Sequence, residues 1–163
     1  MKGLLSYLSF RGRTNRARYW LFVGAFWGII IAWSMVLTAV RSIFGEGAMA
    51  VVVTGLLGLL SLPFLVALFV AIVANAARRL DDRDKSAWWL LLFVGIPGLL
   101  LTLAEAGRPS GSGDAGAFSG MLALLSLPFL LWGFVEIGCM PGTKGPNKYG
   151  EDPLARAPQE AFA

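Results

Sequence analysis

Long apolar runs alternate with short polar segments along this chain, and the pattern predicts helices that cross a membrane. Four runs, at 19–40, 49–74, 87–103 and 118–140, are predominantly apolar. About 20 such residues form a helix that crosses roughly 30 Å of hydrocarbon. The third run is the shortest. We therefore predict an all-α integral membrane four-helix bundle that takes up residues 1–163 as one membrane domain.

Composition supports this class, because 56% of the residues are hydrophobic and only 15% are charged, against roughly a quarter in soluble domains. Arginines interrupt the apolar start of the chain too early for a secretory signal. We therefore expect residues 1–18 to form an uncleaved cytoplasmic or interfacial segment, and 141–163 to form a cytoplasmic tail. With Cys139 as the single cysteine and no histidine, the common zinc and haem ligand sets are missing. We expect no catalytic residue, cofactor or bound metal.

The distribution of basic residues predicts an orientation. Twelve of the 14 Lys and Arg residues lie before the first run, between the second and third, or after the fourth. Only Arg41 and Arg108 lie in the two other connections. The positive-inside rule then places both termini and the central loop in the cytoplasm, which requires an even number of spans.

A repeat links the second and fourth apolar runs. The sequence SLPFL occurs at 61–65 and again at 126–130, and 12 of 18 aligned positions from Gly55 and Gly120 onward are identical. Two spans separate the copies, so the repeat is parallel. We predict two equivalent helical hairpins whose second members carry Pro63 and Pro128.

Each of these prolines predicts a kink, because proline removes an amide donor and clashes with the preceding turn. The carbonyls of Leu59 and Leu124 lose their usual partners. In lipid a freed carbonyl needs another donor. A neighbouring helix, a hydroxyl or a water could supply it, and Ser61 and Ser126, two residues before the prolines, are the local candidates.

The two copies differ at Glu136, which stands where the other copy has Ala71. An ionisable residue inside a span is a candidate for function. However, Glu136 lies about one turn from the end of its predicted helix, where it could reach the interface or an arginine of the basic loops. Two interpretations stay open: a structural ion pair, or a proton or substrate site.

Three polar segments flank the apolar runs on the same predicted side: FRGRTNRARYW, RRLDDRDKSAWW and PGTKGPNKYGEDP. In the second segment we expect ion pairs, an N-cap at Ser86 and interfacial anchors at Trp88 and Trp89. The third segment is rich in the Gly, Pro and Asn typical of tight turns. We expect it to fold against the helix ends, with arginines of the other segments pairing Glu151 and Asp152.

Together the three segments closely resemble those of the domain of unknown function 805 family, which are small four-span bacterial inner-membrane proteins. The resemblance runs from Phe10 to Pro153. The matching residues are Phe10, Gly12, Arg13, Arg16, Tyr19 and Trp20 in the first segment, Arg78, Arg79, Leu80, Asp82, Ser86, Trp88 and Trp89 in the second, and Pro141, Gly142, Thr143, Gly145, Asn147, Tyr149, Gly150, Asp152 and Pro153 in the third.

The resemblance implies a multi-pass protein of the bacterial inner (plasma) membrane, and it implies no reaction. The chain departs from the family pattern at three positions: Asp81 replaces a histidine, and Asp84 and Ala87 replace glycines. The first departure puts any role of that histidine in doubt for this protein.

Three functions remain open. The first is a non-enzymatic protein whose basic cytoplasmic cap binds anionic lipid headgroups or a partner protein, as an accessory subunit of a larger membrane complex. The second is a small transporter or channel, formed as a homo-oligomer, that uses Glu136 and the kinked helices. The third is an enzyme acting on lipid headgroups, with the aspartate cluster and Asn147 as metal ligands. We expect no nucleic-acid partner.

Overall fold

The computed structural model describes residues 8–107 and 113–155, and the described chain is helical apart from the irregular segment 9–15, its turns and its C-terminal loop. The predicted all-α class is confirmed. The helices, in chain order, are α1 (Arg16–Phe44), α2 (Ala48–Asp81), the π-helical segment π1 (Leu91–Gly95), α3 (Ile96–Ala106), α4 (Gly113–Gly133) and the π-helical segment π2 (Phe134–Cys139).

Within residues 8–107 and 113–155, three helical stretches are long and apolar enough to cross a membrane: α1, α2 and the stretch Gly116–Cys139. The stretch Leu91–Ala106 is also apolar but shorter, since π1 has five residues and α3 has eleven. At 1.5 Å per residue it falls short of the roughly 30 Å of the hydrocarbon core. The span boundaries and the side of the termini therefore stay predictions. Of the predicted interfacial segment, residues 1–7 lie outside the described part.

The described residues form two compact units. The first contains residues 8–10 and 17–75, and the second contains residues 11–16, 76–107 and 113–155. In the first unit, no residue of α1 is buried. A helix that is apolar all round and unburied within its own chain suits a lipid environment.

Aromatic packing organises the helices of the second unit, where α3 and π1 lie against α4. The Phe93 ring in π1 is buried and lies 5.6 Å from the Trp89 ring and 5.4 Å from the Trp132 ring, between ring centroids. A Cβ added to Gly133 would lie 2.8 Å from the Cβ of Phe93. The absence of a side chain at Gly133 therefore allows π1 to approach α4 closely.

Both prolines lie inside continuous helices, Pro63 in α2 and Pro128 in α4. The two nearby hydroxyls make equivalent bonds: Ser61 Oγ donates to the carbonyl of Gly58 at 2.9 Å, and Ser126 Oγ donates to that of Ala123 at 2.7 Å.

These two candidate hydroxyls therefore do not bond to the carbonyls of Leu59 and Leu124. A helical serine reaches the carbonyl three or four residues earlier, whereas the freed carbonyl lies only two residues earlier. The kinks stay a prediction.

Candidate functional site

The second unit carries a polar cluster in which the three motif segments meet. We call this cluster the cap; it consists of residues 11–16, 78–86 and 136–153. Backbone hydrogen bonds join its parts: Thr14 N donates to the carbonyl of Arg78 at 3.2 Å, and Thr143 N donates to that of Asp82 at 2.8 Å. Segments far apart in the sequence are thus held together at the end of α2.

Arg79, in the last turn of α2, is the buried centre of the cap. Its side chain is 0% exposed. The guanidinium pairs with the carboxylate of Asp82 and donates to the carbonyls of Ile137, at 3.0 Å, and Met140. The last carbonyls of a helix have no partners within the helix, so Arg79 satisfies two such groups at the end of π2.

Arg13 supplies a second buried guanidinium from the N-terminal segment, with its side chain 1% exposed. Its Nε lies 3.0 Å from Asp82 Oδ1, and its other nitrogens donate to the carbonyls of Gly145, at 2.6 Å, and Thr143. The preceding Gly12 has φ +100°, a conformation that glycine adopts readily. The N-terminal segment therefore turns at Gly12 and delivers Arg13 to the tail.

Asp82 joins the two arginines, because each of its carboxylate oxygens contacts a different guanidinium. A Cβ on Gly142 would collide with this carboxylate. Removing one partner from a buried ion cluster leaves an uncompensated charge and is strongly destabilising. The Arg13–Asp82–Arg79 triad therefore depends on all three members and on the small residue beside them.

The tail folds against the end of α2 through Asn147. Its Nδ2 donates to the carbonyl of Asp81 at 2.9 Å and to Thr143 Oγ1 at 3.0 Å, while its Oδ1 accepts from the backbone N–H of Tyr149 at 2.9 Å. The backbones of Asn147 and Gly150 exchange two hydrogen bonds of 3.1 Å. The amide side chain thus uses both ends to fix a tight turn on the helix end.

Asp152 has different partners from those that the sequence predicted. Its carboxylate accepts from the backbone N–H groups of Leu154, at 2.9 Å, and Gly145, at 3.0 Å. These bonds hold the pKa of the Asp152 carboxyl below its ordinary value of 3.8. Arg13 and Arg79 form their carboxylate bonds with Asp82, and Arg13 acts on Asp152 only through its charge, which also lowers the pKa of that carboxyl.

Glu136, in π2, is buried and lies between two cations. Its Oε1 is 2.7 Å from a terminal nitrogen of Arg83 and 2.9 Å from Lys85 Nζ. Arg83 also donates to the carbonyl of Pro141 at 2.8 Å. This geometry is the ion pair of the first interpretation, and it joins π2 to the loop that follows α2.

The neighbouring residues Trp88 and Trp89 lie in different environments. The Trp88 side chain is 77% exposed, as an interfacial anchor requires. Trp89 instead lies in the aromatic cluster described above, and Lys85 Nζ lies over its ring, 4.7 Å from the ring centroid. Ser86 Oγ accepts from Trp88 N at 3.4 Å in the turn before π1, whereas the N-cap of π1 is Leu90, which makes no side-chain cap bond. The predicted N-cap at Ser86 was therefore wrong.

The structure does not bring every predicted residue into the cap. Phe10 and Trp20 belong to the first unit, and Pro63 and Pro128 belong to the spans. Arg16, the first residue of α1, does join the cap and donates to the carbonyl of Cys139 at 2.9 Å. Arg78 contributes the carbonyl that accepts from Thr14.

Gly142, Thr143, Arg83 and Lys85 take part in the cap, although the sequence analysis assigned none of them the partner that the structure shows. All four lie in the motif segments. The sequence held one signal, because Gly142 and Thr143 follow Pro141 immediately after the last apolar run. It gave no indication that one glycine would face a carboxylate.

The buried charged groups of the cap have their hydrogen-bond partners within the chain, as in a structural core. The nitrogens of its two buried guanidiniums bond to carbonyl and carboxylate oxygens of the chain, and Asp82 is shared between two arginines. Across residues 8–107 and 113–155, no three His, Cys, Asp or Glu side chains converge as a metal site would need.

The fold and the cap define a class: helical membrane proteins with a polar cluster at the helix ends. A family described as "Protein of unknown function (DUF805)" matches residues 7–151. The chain belongs to this family, as the motif segments predicted.

Three relatives from Escherichia coli (strain K12) extend along most of the chain. Inner membrane protein YhaI is 32% identical over 154 residues, covering 92% of this chain and 90% of the relative. Inner membrane protein YhaH is 28% identical over 154 residues, covering 94% and 93%. Uncharacterized protein YiiR is 29% identical over 147 residues, covering 88% and 85%. No solved structure matches the chain. These similarities support an inner-membrane protein.

Proposed function

We propose that this protein is a non-enzymatic inner-membrane protein whose cap binds anionic lipid headgroups on the cytoplasmic side. The observation that carries the proposal is a division among the cap's cations. Arg13 and Arg79 are buried within the cluster, whereas Arg11, Lys144 and Lys148 are exposed. The first set keeps the cap rigid, and the second set faces outward.

The charge balance of the cap surface supports an anionic ligand. The exposed charged residues are the cations Arg11, Arg16, Lys144 and Lys148 and the acids Asp84 and Glu151. The pair between Lys148 and Asp84 is 3.5 Å long and well exposed, so it contributes little. Basic residues near an anionic leaflet contribute about 1 kcal/mol each, and the exposed Trp88 suits the same interface.

Lipid retention by the full-length protein tests this proposal. The protein is purified in mild detergent, equilibrated with equal amounts of phosphatidylglycerol and phosphatidylethanolamine, and examined by native mass spectrometry. We expect phosphatidylglycerol to be preferred, and the preference to fall about fivefold for each of Arg11→Gln, Lys144→Gln and Lys148→Gln. Arg108→Gln is the charge-matched control, because the sequence predicts it on the other side.

Two outcomes would contradict the proposal. One is a triple variant that stays folded and keeps its full preference for phosphatidylglycerol. The other is a stoichiometric companion protein that the triple variant loses while its lipids remain. That result would make the cap a protein-docking surface and the chain an accessory subunit.

The two other functions have less support. Transport through Glu136 would require a carboxylate available to substrate, whereas Glu136 contacts both Arg83 and Lys85. A lipid-headgroup enzyme would need Asp82 as a ligand, and two arginines occupy it. No observation favours either function over lipid binding.

A further inference from the structure

A groove lies between α1 and α2 in the first unit, next to the turn that joins them. Its volume is about 460 Å³, within the range of small-molecule sites. The lining residues are Ser34, Leu37, Thr38 and Arg41 from α1 and Val51, Thr54 and Gly55 from α2. Counted from Ser34 and from Val51, the spacings of three, four and seven positions place each set on one helix face, so the groove lies between two continuous stripes.

Small and hydroxyl-bearing side chains keep this groove open. A Cβ on Gly55 would meet no atom within 4 Å. The hydroxyls bond to their own helices: Ser34 Oγ to the carbonyl of Ile31 at 2.8 Å, Thr38 Oγ1 to that of Ser34 at 2.9 Å, and Thr54 Oγ1 to that of Ala50 at 2.7 Å. The groove walls are therefore satisfied without a polar ligand. Because unfilled space forfeits van der Waals contact, an apolar occupant stabilises the pair.

Arg41 gives the groove a charged end. It lies three residues before the end of α1 and is exposed. Among the described residues, none forms an ion pair or hydrogen bond with its guanidinium. Arginine recognises phosphate through a planar fork of donors, and a basic side chain near a helix end reaches toward the membrane surface.

We propose that this groove binds one phospholipid, with an acyl chain between α1 and α2 and the phosphate at Arg41. From Ser34 to Arg41 the helix rises about 10 Å, which fits within one leaflet. Groove and charge are aligned as a lipid is, with the apolar part inward and the cation at the surface. This site is separate from the exposed cations of the cap and does not rest on them.

Photocrosslinking locates the lipid directly. The full-length protein is reconstituted into phosphatidylethanolamine nanodiscs with a minor fraction of phosphatidylglycerol that carries a diazirine on its acyl chain. After irradiation, peptide mapping should place adducts in 34–41 and 51–55. Gly55→Leu fills the groove and should abolish these adducts. Arg41→Gln should lower them about fivefold, and Arg41→Lys should restore part of the loss.

Gly58→Leu is the matched control, because its Cβ also meets nothing within 4 Å and Gly58 does not line the groove. It should keep the adducts and report on folding. Lys144→Gln should leave groove labelling unchanged, so the two lipid proposals fail separately.

Adducts spread evenly along α1 and insensitive to Gly55→Leu would overturn this inference. Crosslinks between two protein chains through groove residues would also overturn it, because a second copy would then fill the groove.

Discussion

The two helices that share the SLPFL sequence, α2 and α4, are alike around their prolines and differ at their C-terminal ends. Near the prolines they match, because Ser61 and Ser126 each donate to the carbonyl three residues earlier. Beyond the prolines, α2 continues as an α-helix to Asp81, whereas α4 gives way to π2 after Gly133. The repeat has thus kept its middle and changed its ends.

The changed ends are complementary. The end of α2 supplies donors and a carboxylate through Arg79 and Asp82, while the end of π2 supplies the carbonyls of Ile137 and Met140. The copies also differ at the positions of Gly133 and Glu136, where α2 has leucine and alanine. With few substitutions, one copy of the repeated helix has thus become a hydrogen-bond donor at its end and the other an acceptor. Four predictions test this comparison.

Removing the donor from the end of α2 should have the largest effect. Arg79→Ala leaves Asp82 with one partner and removes the donor to the carbonyls of Ile137 and Met140, so we expect a loss of about 3–5 kcal/mol in the free energy of unfolding. Unfolding in mixed micelles with increasing SDS, followed by tryptophan fluorescence, measures it. Lys144→Ala, at an exposed cation of the same cap, should change the stability by less than about 0.5 kcal/mol. Equal effects would contradict a buried network.

Making α4 resemble α2 at Gly133 should have the next largest effect. Gly133→Leu introduces the residue that α2 carries at the equivalent Leu68 and drives it into Phe93, so we expect a loss of about 3 kcal/mol. Near-ultraviolet circular dichroism should report disturbed tryptophan packing. Gly120→Leu is the control, since its Cβ meets no atom within 4 Å. A neutral result at Gly133 would show that π1 does not need this close approach.

Exchanging the residues at the Glu136 position should have an intermediate effect. Glu136→Ala removes the acceptor shared by Arg83 and Lys85, and we expect a loss of about 2 kcal/mol. The reciprocal Ala71→Glu places a carboxylate at a buried position of α2 and should also destabilise the protein. Thermal unfolding of both single variants and the double variant measures this. If Glu136→Ala were fully stable but altered ion flux in liposomes, the transport hypothesis would regain support.

The smallest effect should come from the shared part of the repeat. Ser126→Ala and Ser61→Ala each remove one hydroxyl-to-carbonyl bond, and hydrogen bonds within membrane proteins contribute about 0.6 kcal/mol on average. Ser126 is fully buried and Ser61 is only half-buried, so the loss should be slightly larger at Ser126. The same mixed-micelle titration resolves the two if they are compared in parallel. A loss above about 2 kcal/mol at either site would mean that the prolines depend on these hydroxyls.

Apolar runs and motifs predicted much of the fold, because both depend on local sequence. The helices α1 and α2 and the stretch Gly116–Cys139 follow directly from uninterrupted hydrophobicity. The π-helical segments could not be predicted this way, because an apolar run does not distinguish hydrogen bonds five residues apart from those four residues apart.

The sequence predicted which segments meet in the cap, but not which carboxylate pairs with which arginine. Composition indicated that basic and acidic segments would meet, yet several carboxylates competed for the arginines. Asp82 takes both guanidiniums because it lies one turn beyond Arg79 on the same helix end and is buried with it. The carboxylate of Asp152 instead accepts hydrogen bonds from nearby backbone N–H groups. Partner choice depends on burial and local geometry, which a linear pattern does not contain.

The bonds of Arg13 have a consequence for biosynthesis. Its carbonyl partners Thr143 and Gly145 follow it by 130 and 132 positions, so the ribosome makes them long after the arginine has emerged. Until then, Arg13 and Asp82 lack the environment that buries them. Completion of the chain is therefore the event that closes the cap. A nascent chain stalled before Thr143 can form the Arg13–Asp82–Arg79 ion pairs but lacks the carbonyls of Thr143 and Gly145 that complete the bonds of Arg13.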